Sequence, residues 1–255
     1  MSKIVFFDID GTLLDDQKNL SISAKEAITN LQKDGIYTAL ATGRAPFMVE
    51  PLLKELNMDS YVSFNGQYVV FKGKVIYKNP LHPKHLSGLE EEAGKHGHPI
   101  VYMNESILKA NVDYDKRIAD SLGTLHLEHP DFQSDFYWKT EIYQALLFAS
   151  EGEEDYTHEF NEFRFIRWHE NSIDVVPKGG SKAEGIKKLM EKLGFKMKDV
   201  FAFGDALNDI EMLQTVGTGI AMGNALDPVK KIADIVTTNV EDDGVANGLK
   251  KVGLL

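Results

Sequence analysis

The sequence predicts an α/β fold in two parts: a core in which buried strands alternate with helices, and an α+β module set into the middle of the chain. Three observations carry this. Ile4, Val5, Phe6 and Phe7 form an unbroken apolar run, the pattern of a strand buried on both faces, and it stops abruptly at Asp8. The same arrangement returns late in the chain, where Val200–Phe203 runs into Gly204 and Asp205. Between them, from about His82 to Lys178, the texture changes to a polar helix, strong strands and most of the aromatic residues outside the core strands, as expected of a self-contained module.

Each element has its own justification. Behind the first strand, Asp10, Gly11 and Thr12 supply a second carboxylate, a turn and a hydroxyl. Carboxylates as close as Asp8 and Asp10 repel each other, and a hard divalent cation such as Mg²⁺, which prefers oxygen ligands, removes the repulsion. The same residue types make surface turns, but polar residues directly after a buried run weigh against that reading. From Ser21 the period becomes helical: Ser23 is expected to cap a helix with Ala24, Ala27, Ile28 and Leu31 on its apolar stripe, ending near Asp34 and Gly35. Ile36–Ala41 reads as the next strand and runs into Thr42, Gly43 and Arg44, where a hydroxyl and backbone N–H groups suit a phosphate oxygen. A helix over Pro46–Leu56 follows, then two strand-like runs around Lys72-Gly73-Lys74 that predict a hairpin. Asn65-Gly66 is a tight turn beside the expected site, structural first and substrate-lining second.

In the module, the pattern predicts helices over His82–His98, Asp113–Ser121 and Glu153–Phe163, and strands over 99–104, 141–149, 163–169 and 172–177. The predicted domains are therefore 1–81 with 179–255 as the core, and 82–178 as the inserted module. When the core pattern resumes, Ser181 is a helix cap and Lys182 the first helical residue, with Ala183, Ile186, Leu189, Met190 and Leu193 buried. A lysine at a helix N-terminus opposes the macrodipole and points to an anionic partner, against the plainer reading of one solvent-facing lysine among several. After Val200–Phe203, Asp205 and Asp209 are placed to complete the cation site begun by Asp8, with helix capping as the competing role, above all for Asp209. Strands within 217–225 and 233–239 and a helix over 242–252 close the pattern.

Composition limits the function classes. The 255 residues suffice for one large domain or two modest ones. A formal net charge of −11 argues against nucleic acid or an anionic membrane as main partner. Zero cysteines exclude disulfides, thiolate catalysis and Cys-ligated zinc, and the eight histidines are too dispersed for a His-zinc site. With no run near the ~18–20 apolar residues of a membrane span and no signal pattern, the expectation is a soluble, cytoplasmic protein.

Four motifs together, DIDGT at 8–12, ATGR at 41–44, GGSK at 179–182 and GDALND at 204–209, resemble the haloacid dehalogenase superfamily of phosphatases, in particular its Cof-type branch with a C2B-like α+β cap. The resemblance implies a Rossmann-like core with a mainly parallel sheet, a cap that sets specificity, Mg²⁺ dependence, and hydrolysis of small phosphate monoesters through an aspartyl-phosphate. By the same resemblance, Asp8 is the nucleophile and Asp10 the acid/base. The metal ligands are Asp8, the Asp10 carbonyl and Asp205, with Asp209 direct or through water, and Thr42, Gly43, Lys182 and Asn208 cradle the phosphoryl group. Arg44, Asn65 and Trp168 are the candidates to line the leaving group, alongside Tyr102, Arg167 and His169. The expected partner is a small phosphorylated metabolite, bound by a monomer or dimer: a sugar phosphate first, then pyridoxal phosphate or flavin mononucleotide. The competing functions are phosphoryl transfer to a sugar, as in a mutase, and a non-catalytic phosphoacceptor module.

Overall fold

The structure, a computed structural model, describes residues 3–255. These fall into two compact units: residues up to Arg44 with Met48–Tyr77 and Ser181–Leu255, and Lys78–Gly180 with Ala45–Phe47. The division lies at 77/78 and 180/181, against the expected 81/82 and 178/179.

The first unit opens with β1 (Ile4–Phe7), α1 (Ile22–Lys33), β2 (Tyr37–Ala41), α2 (Pro46–Glu55), β3 (Tyr61–Ser63), β4 (Tyr68–Phe71) and β5 (Lys74–Lys78). The second contains α3 (Pro83–Lys95), β6 (Ile100–Met103), β7 (Leu108–Ala110), α4 (Lys116–Gly123), α5 (Phe136–Lys139), β8 (Gln144–Leu147), β9 (Phe163–His169) and β10 (Ser172–Pro177). The first then resumes with α6 (Lys182–Leu193), β11 (Val200–Gly204), α7 (Ile210–Thr215), β12 (Thr218–Ala221), α8 (Asp227–Ile232), β13 (Ile235–Val236) and α9 (Gly244–Lys251).

The larger sheet has eight strands in the order β13-β12-β11-β1-β2-β3-β4-β5. Its strands from β13 to β3 are parallel, and β4 turns antiparallel to β3. The chain leaves β1 in one direction through β2 and later fills the other side with β11, so the strand order reverses at β1. In open α/β sheets the crevice at that reversal, outside the strand C-termini, is where ligands bind. β1 is wholly buried, as its apolar run requires, and the helices pair α1 with α9 and α6 with α7.

Several expected boundaries shift. Ser21, not Ser23, holds the N-cap position of α1, and the two hydroxyls hydrogen-bond to each other at 2.8 Å. The predicted helix over Glu153–Phe163 is only a 3-10 turn at Asp155–Glu159. Its Tyr, Thr, His and Asn are poor helix formers, and Phe163 is taken as the first residue of β9. In the second unit the sheet runs β7-β6-β8-β10-β9, antiparallel throughout. Ile100 and Tyr102, Ala145 and Leu147, and Ile173 and Val175 share one face by the period of two and pack on Leu86, Leu89 and Ala93 of α3 and on Phe136 and Tyr137 of α5.

Candidate active site

Register brings the motifs together. Phe7 of β1 stands level with Leu40 of β2 and with Phe203 of β11. Because all three strands are parallel, the residues that follow, Asp8, Thr42 and Asp205, emerge at the same edge of the sheet. The Asp8 N–H donates to the Phe203 carbonyl at 3.0 Å and the Thr42 N–H to Val62 at 2.8 Å, so the strand pairing extends into the site itself.

At the centre is Lys182, only 1% exposed. Ser181 caps α6 by accepting the Glu184 N–H at 3.3 Å, and the next residue sends its ammonium to Asp8 Oδ1 at 2.5 Å and to Asp209 Oδ1 at 2.7 Å. The solvent-facing reading of Lys182 is thereby set aside, and the two carboxylates offset the unfavourable helix dipole. Burial pulls the Lys182 pKa down, but the Asp209 and Asp8 charges more than compensate and hold it above the ordinary lysine value. Asp8 is raised well above the ordinary carboxylate value, first by burial and then by the charges of Asp209 and Asp205, against the pull of Lys182. Burial and the Asp209 charge push Asp205 up to about 6.

Asp209 uses both its oxygens within the protein. Oδ1 accepts from Lys182, and Oδ2 accepts the N–H groups of Asp205 and Ala206, each at 3.0 Å. Asp209 does stand at the N-cap position of α7, but its carboxylate makes no capping bond to that helix; it folds back over its own loop. That fold requires Gly204, since a Cβ there would lie 2.5 Å from the Asp209 carboxyl carbon. Gly11 has a similar role: with φ of +79°, it passes so close to Asp205 that a Cβ would sit 2.3 Å from its Oδ2. Thr12 completes this contact, donating to Asp205 Oδ1 at 2.9 Å.

Ligand oxygens of Asp8, Asp205 and Asp209 lie within 4.8 Å of one another. Three carboxylates face one ammonium, which leaves two negative charges uncompensated in a largely buried place. This all-oxygen donor set, in which burial first and the neighbouring carboxylates second raise Asp8 and Asp205, fits a hard divalent cation.

The remaining predicted residues divide. The Thr42 hydroxyl accepts the Arg44 N–H at 3.1 Å, and Gly43 lies against Asn65. Asn65, buried and left-handed at φ of +51°, accepts from the Asn208 side chain at 3.3 Å and donates its backbone N–H to the Thr42 carbonyl at 3.0 Å, so it bridges the second and fourth motifs. Arg44 does not stand apart as a free cation: it grips Asp10, and Lys18, which carries no motif, shares that carboxylate. Asp10 is held below its ordinary pKa, because Arg44 and Lys18 outweigh the raising effect of burial. Trp168 lies on β9 of the second unit, its ring beside His169. In that unit Tyr102 is core, Arg167 donates to the carbonyls of Ala149, His169 and Glu170, and His169 pairs with Ser121.

A family model described as haloacid dehalogenase-like hydrolase matches residues 5–249. The chain belongs to that family. As such it is a hydrolase, and its core is the family's Rossmann-like fold. It is 47% identical over 254 residues to the putative phosphatase YkrA of Bacillus subtilis, covering 100% of this chain and 99% of that protein. It is 30% identical over 259 residues to the B. subtilis 5-amino-6-(5-phospho-D-ribitylamino)uracil phosphatase YcsE, covering 97% and 94%. Among solved structures it resembles the subclass IIB sugar phosphatase BT4131, with a TM-score of 0.88, 29% identity and complete coverage of both chains. Among the described residues, no helix is long and apolar enough to cross a membrane.

Proposed function

We propose that this hydrolase is a Mg²⁺-dependent phosphatase of small phosphate monoesters that works through an aspartyl-phosphate on Asp8. Sugar phosphates are the first candidates, and pyridoxal phosphate and flavin mononucleotide follow. The observation that carries the reading is the buried Lys182 ammonium bonded to both Asp8 and Asp209 at the strand edge, beside Asp205. A buried cation among several carboxylates does not improve packing; it suits a site that must receive a dianion next to a carboxylate nucleophile.

Asp8 attacks phosphorus, and its new O–P bond forms as the bond to the leaving oxygen breaks. Asp10, protonated in the ester complex, where the phosphate dianion offsets Arg44 and Lys18, gives that oxygen its proton and then takes one from the water that attacks the phosphoryl group, so Asp8 and protonated Asp10 are both regenerated and phosphate is released. The Lys182 ammonium, the Thr42 hydroxyl, the Gly43 N–H and the Asn208 amide hold the phosphoryl oxygens. Asp8, Asp205 and the Asp10 carbonyl would hold Mg²⁺, which would supply charge neutralisation for nucleophile and phosphoryl group, while Asp209 positions the loop. In this proposal leaving-group specificity is assigned to the second unit. The names of the sugar phosphatase and the ribitylaminouracil phosphatase support a small phosphorylated metabolite as substrate.

The test is phosphate release from a panel of sugar phosphates, pyridoxal phosphate, flavin mononucleotide and nucleotides, with Mg²⁺ and with EDTA. Turnover that requires Mg²⁺ and favours one ester is expected. No release from any ester would overturn the reading in favour of phosphoryl transfer or another hydrolysis.

A further inference from the structure

In the proposed reaction Asp10 must present one carboxylate oxygen to the leaving group, so whatever fixes that carboxylate controls proton transfer. Two cations hold it in different ways. Arg44 spans both oxygens, Nε to Oδ2 at 2.9 Å and Nη2 to Oδ1 at 2.7 Å, whereas Lys18 Nζ touches Oδ1 alone at 2.7 Å. A guanidinium fork matches the carboxylate plane and fixes its rotation; an ammonium is a point charge that leaves the plane free to turn. The backbone that carries the fork is anchored: the Arg44 backbone N–H donates to Thr42 Oγ1 at 3.1 Å and its carbonyl accepts the Phe64 N–H at 3.2 Å, while the side chain is 18% exposed. Lys18, by contrast, reaches in from the loop after β1, with a side chain 33% exposed.

We propose that Arg44 is a positioning residue that aims the Asp10 carboxylate for proton exchange at the leaving-group oxygen, with Lys18 a secondary contact. The inference rests on the phosphatase reading of the same site. It differs from a role for Arg44 in binding the substrate, and from a purely structural ion pair, in what it predicts for leaving groups of different basicity.

An alkyl phosphate departs as a basic alkoxide and needs a proton as its P–O bond breaks; p-nitrophenyl phosphate departs as a stabilised phenolate and needs little help. Since kcat/KM reports the steps up to transfer onto Asp8, it isolates the acid role of Asp10. With Mg²⁺ present, Arg44→Ala should lower kcat/KM for a hexose phosphate about 10²-fold, the usual size of a general-acid contribution, and leave p-nitrophenyl phosphate nearly unchanged. Arg44→Lys should recover only part of the loss, because an ammonium cannot form the fork. Circular dichroism of each variant checks that the fold is kept. Equal losses on both esters, a rise in KM with kcat intact, or no change on either ester would each overturn the inference while leaving the phosphatase reading in place. Failure of the unsubstituted protein to hydrolyse either ester would overturn the phosphatase reading, and the inference with it.

Discussion

The two units bury polar groups for different ends. In the first, charges lie at the ends of buried strands in numbers that do not balance: Asp8, Asp205 and Asp209 around the single Lys182. In the second, the buried or half-buried charged groups are matched locally and tie the fold together, while the Tyr102 and Ser172 hydroxyls and Trp168 Nε1, buried without a hydrogen-bond partner, are on neutral side chains. Arg167 bonds three backbone carbonyls and Glu154, Arg117 bonds Gly97 and Asp115, and the Tyr137 hydroxyl donates to Glu90 at 2.7 Å. Balanced networks stabilise a chain as it stands, whereas an unbalanced one is stable only with something more bound. The contrast is what the proposed function rests on when it puts a cation and a dianion at the strand edge of the first unit.

The comparison breaks most sharply at Lys182. Lys182→Met would strand the Asp8 and Asp209 carboxylates without their cation, a change that in buried pairs costs about 3–5 kcal/mol. Turnover should vanish and the urea midpoint fall. Asp8, already raised and now without its cation, would bind a proton more readily folded than unfolded, so the deficit should be larger at pH 8 than at pH 5. An unchanged midpoint at both values would show that the pairs do not matter to the fold.

A smaller effect sharpens the other side. His98, 5% exposed in the second unit, bonds Tyr156 through Nδ1 at 2.9 Å and lies 3.5 Å from Glu153, with the His96 ring and Arg117 nearby. Burial and then the Arg117 charge hold its pKa below the ordinary 6.5, although Glu153 opposes them. As pH falls below about 6.5 the unfolded chain takes up a proton that folded His98 resists, so its contribution to stability is complete above that value and declines below it. A modest fall in melting temperature between pH 7 and pH 5.5 is expected, and His98→Gln should flatten it. A profile that is equally steep with and without His98 would assign the decline to other groups.

Much of the first unit was legible because its strands announce themselves: four apolar residues and then a carboxylate leave few alternatives for Ile4–Asp8. Parallel pairing then carries Asp8, Thr42 and Asp205 to one edge without further information. The environment of Lys182 was legible only as a conflict, a cation at a helix start, and its two partners needed the fold. Lys18 carried no signal, being one lysine in a polar loop whose side chain meets Asp10 only once the loop has turned back. In the second unit the helix expected over Glu153–Phe163 gave way to a turn, because the apolar spacing of Tyr156, Phe160 and Phe163 mimics a helical stripe while the strand β9 claims its last residue. The short helices α5 and α8 and the strand β7 were not anticipated, since elements of so few residues have too little periodicity to read.

The most direct test of the account is the turnover of a phosphate monoester by Asp8→Asn in the presence of Mg²⁺, compared with the unsubstituted protein. The change replaces one oxygen of a residue at a strand end, so the fold should persist by circular dichroism while kcat falls by about 10⁴-fold or more, as expected for loss of a covalent nucleophile. If Asp8→Asn kept most of its activity, the aspartyl-phosphate mechanism would be wrong, and the carboxylate would serve only to hold the cation.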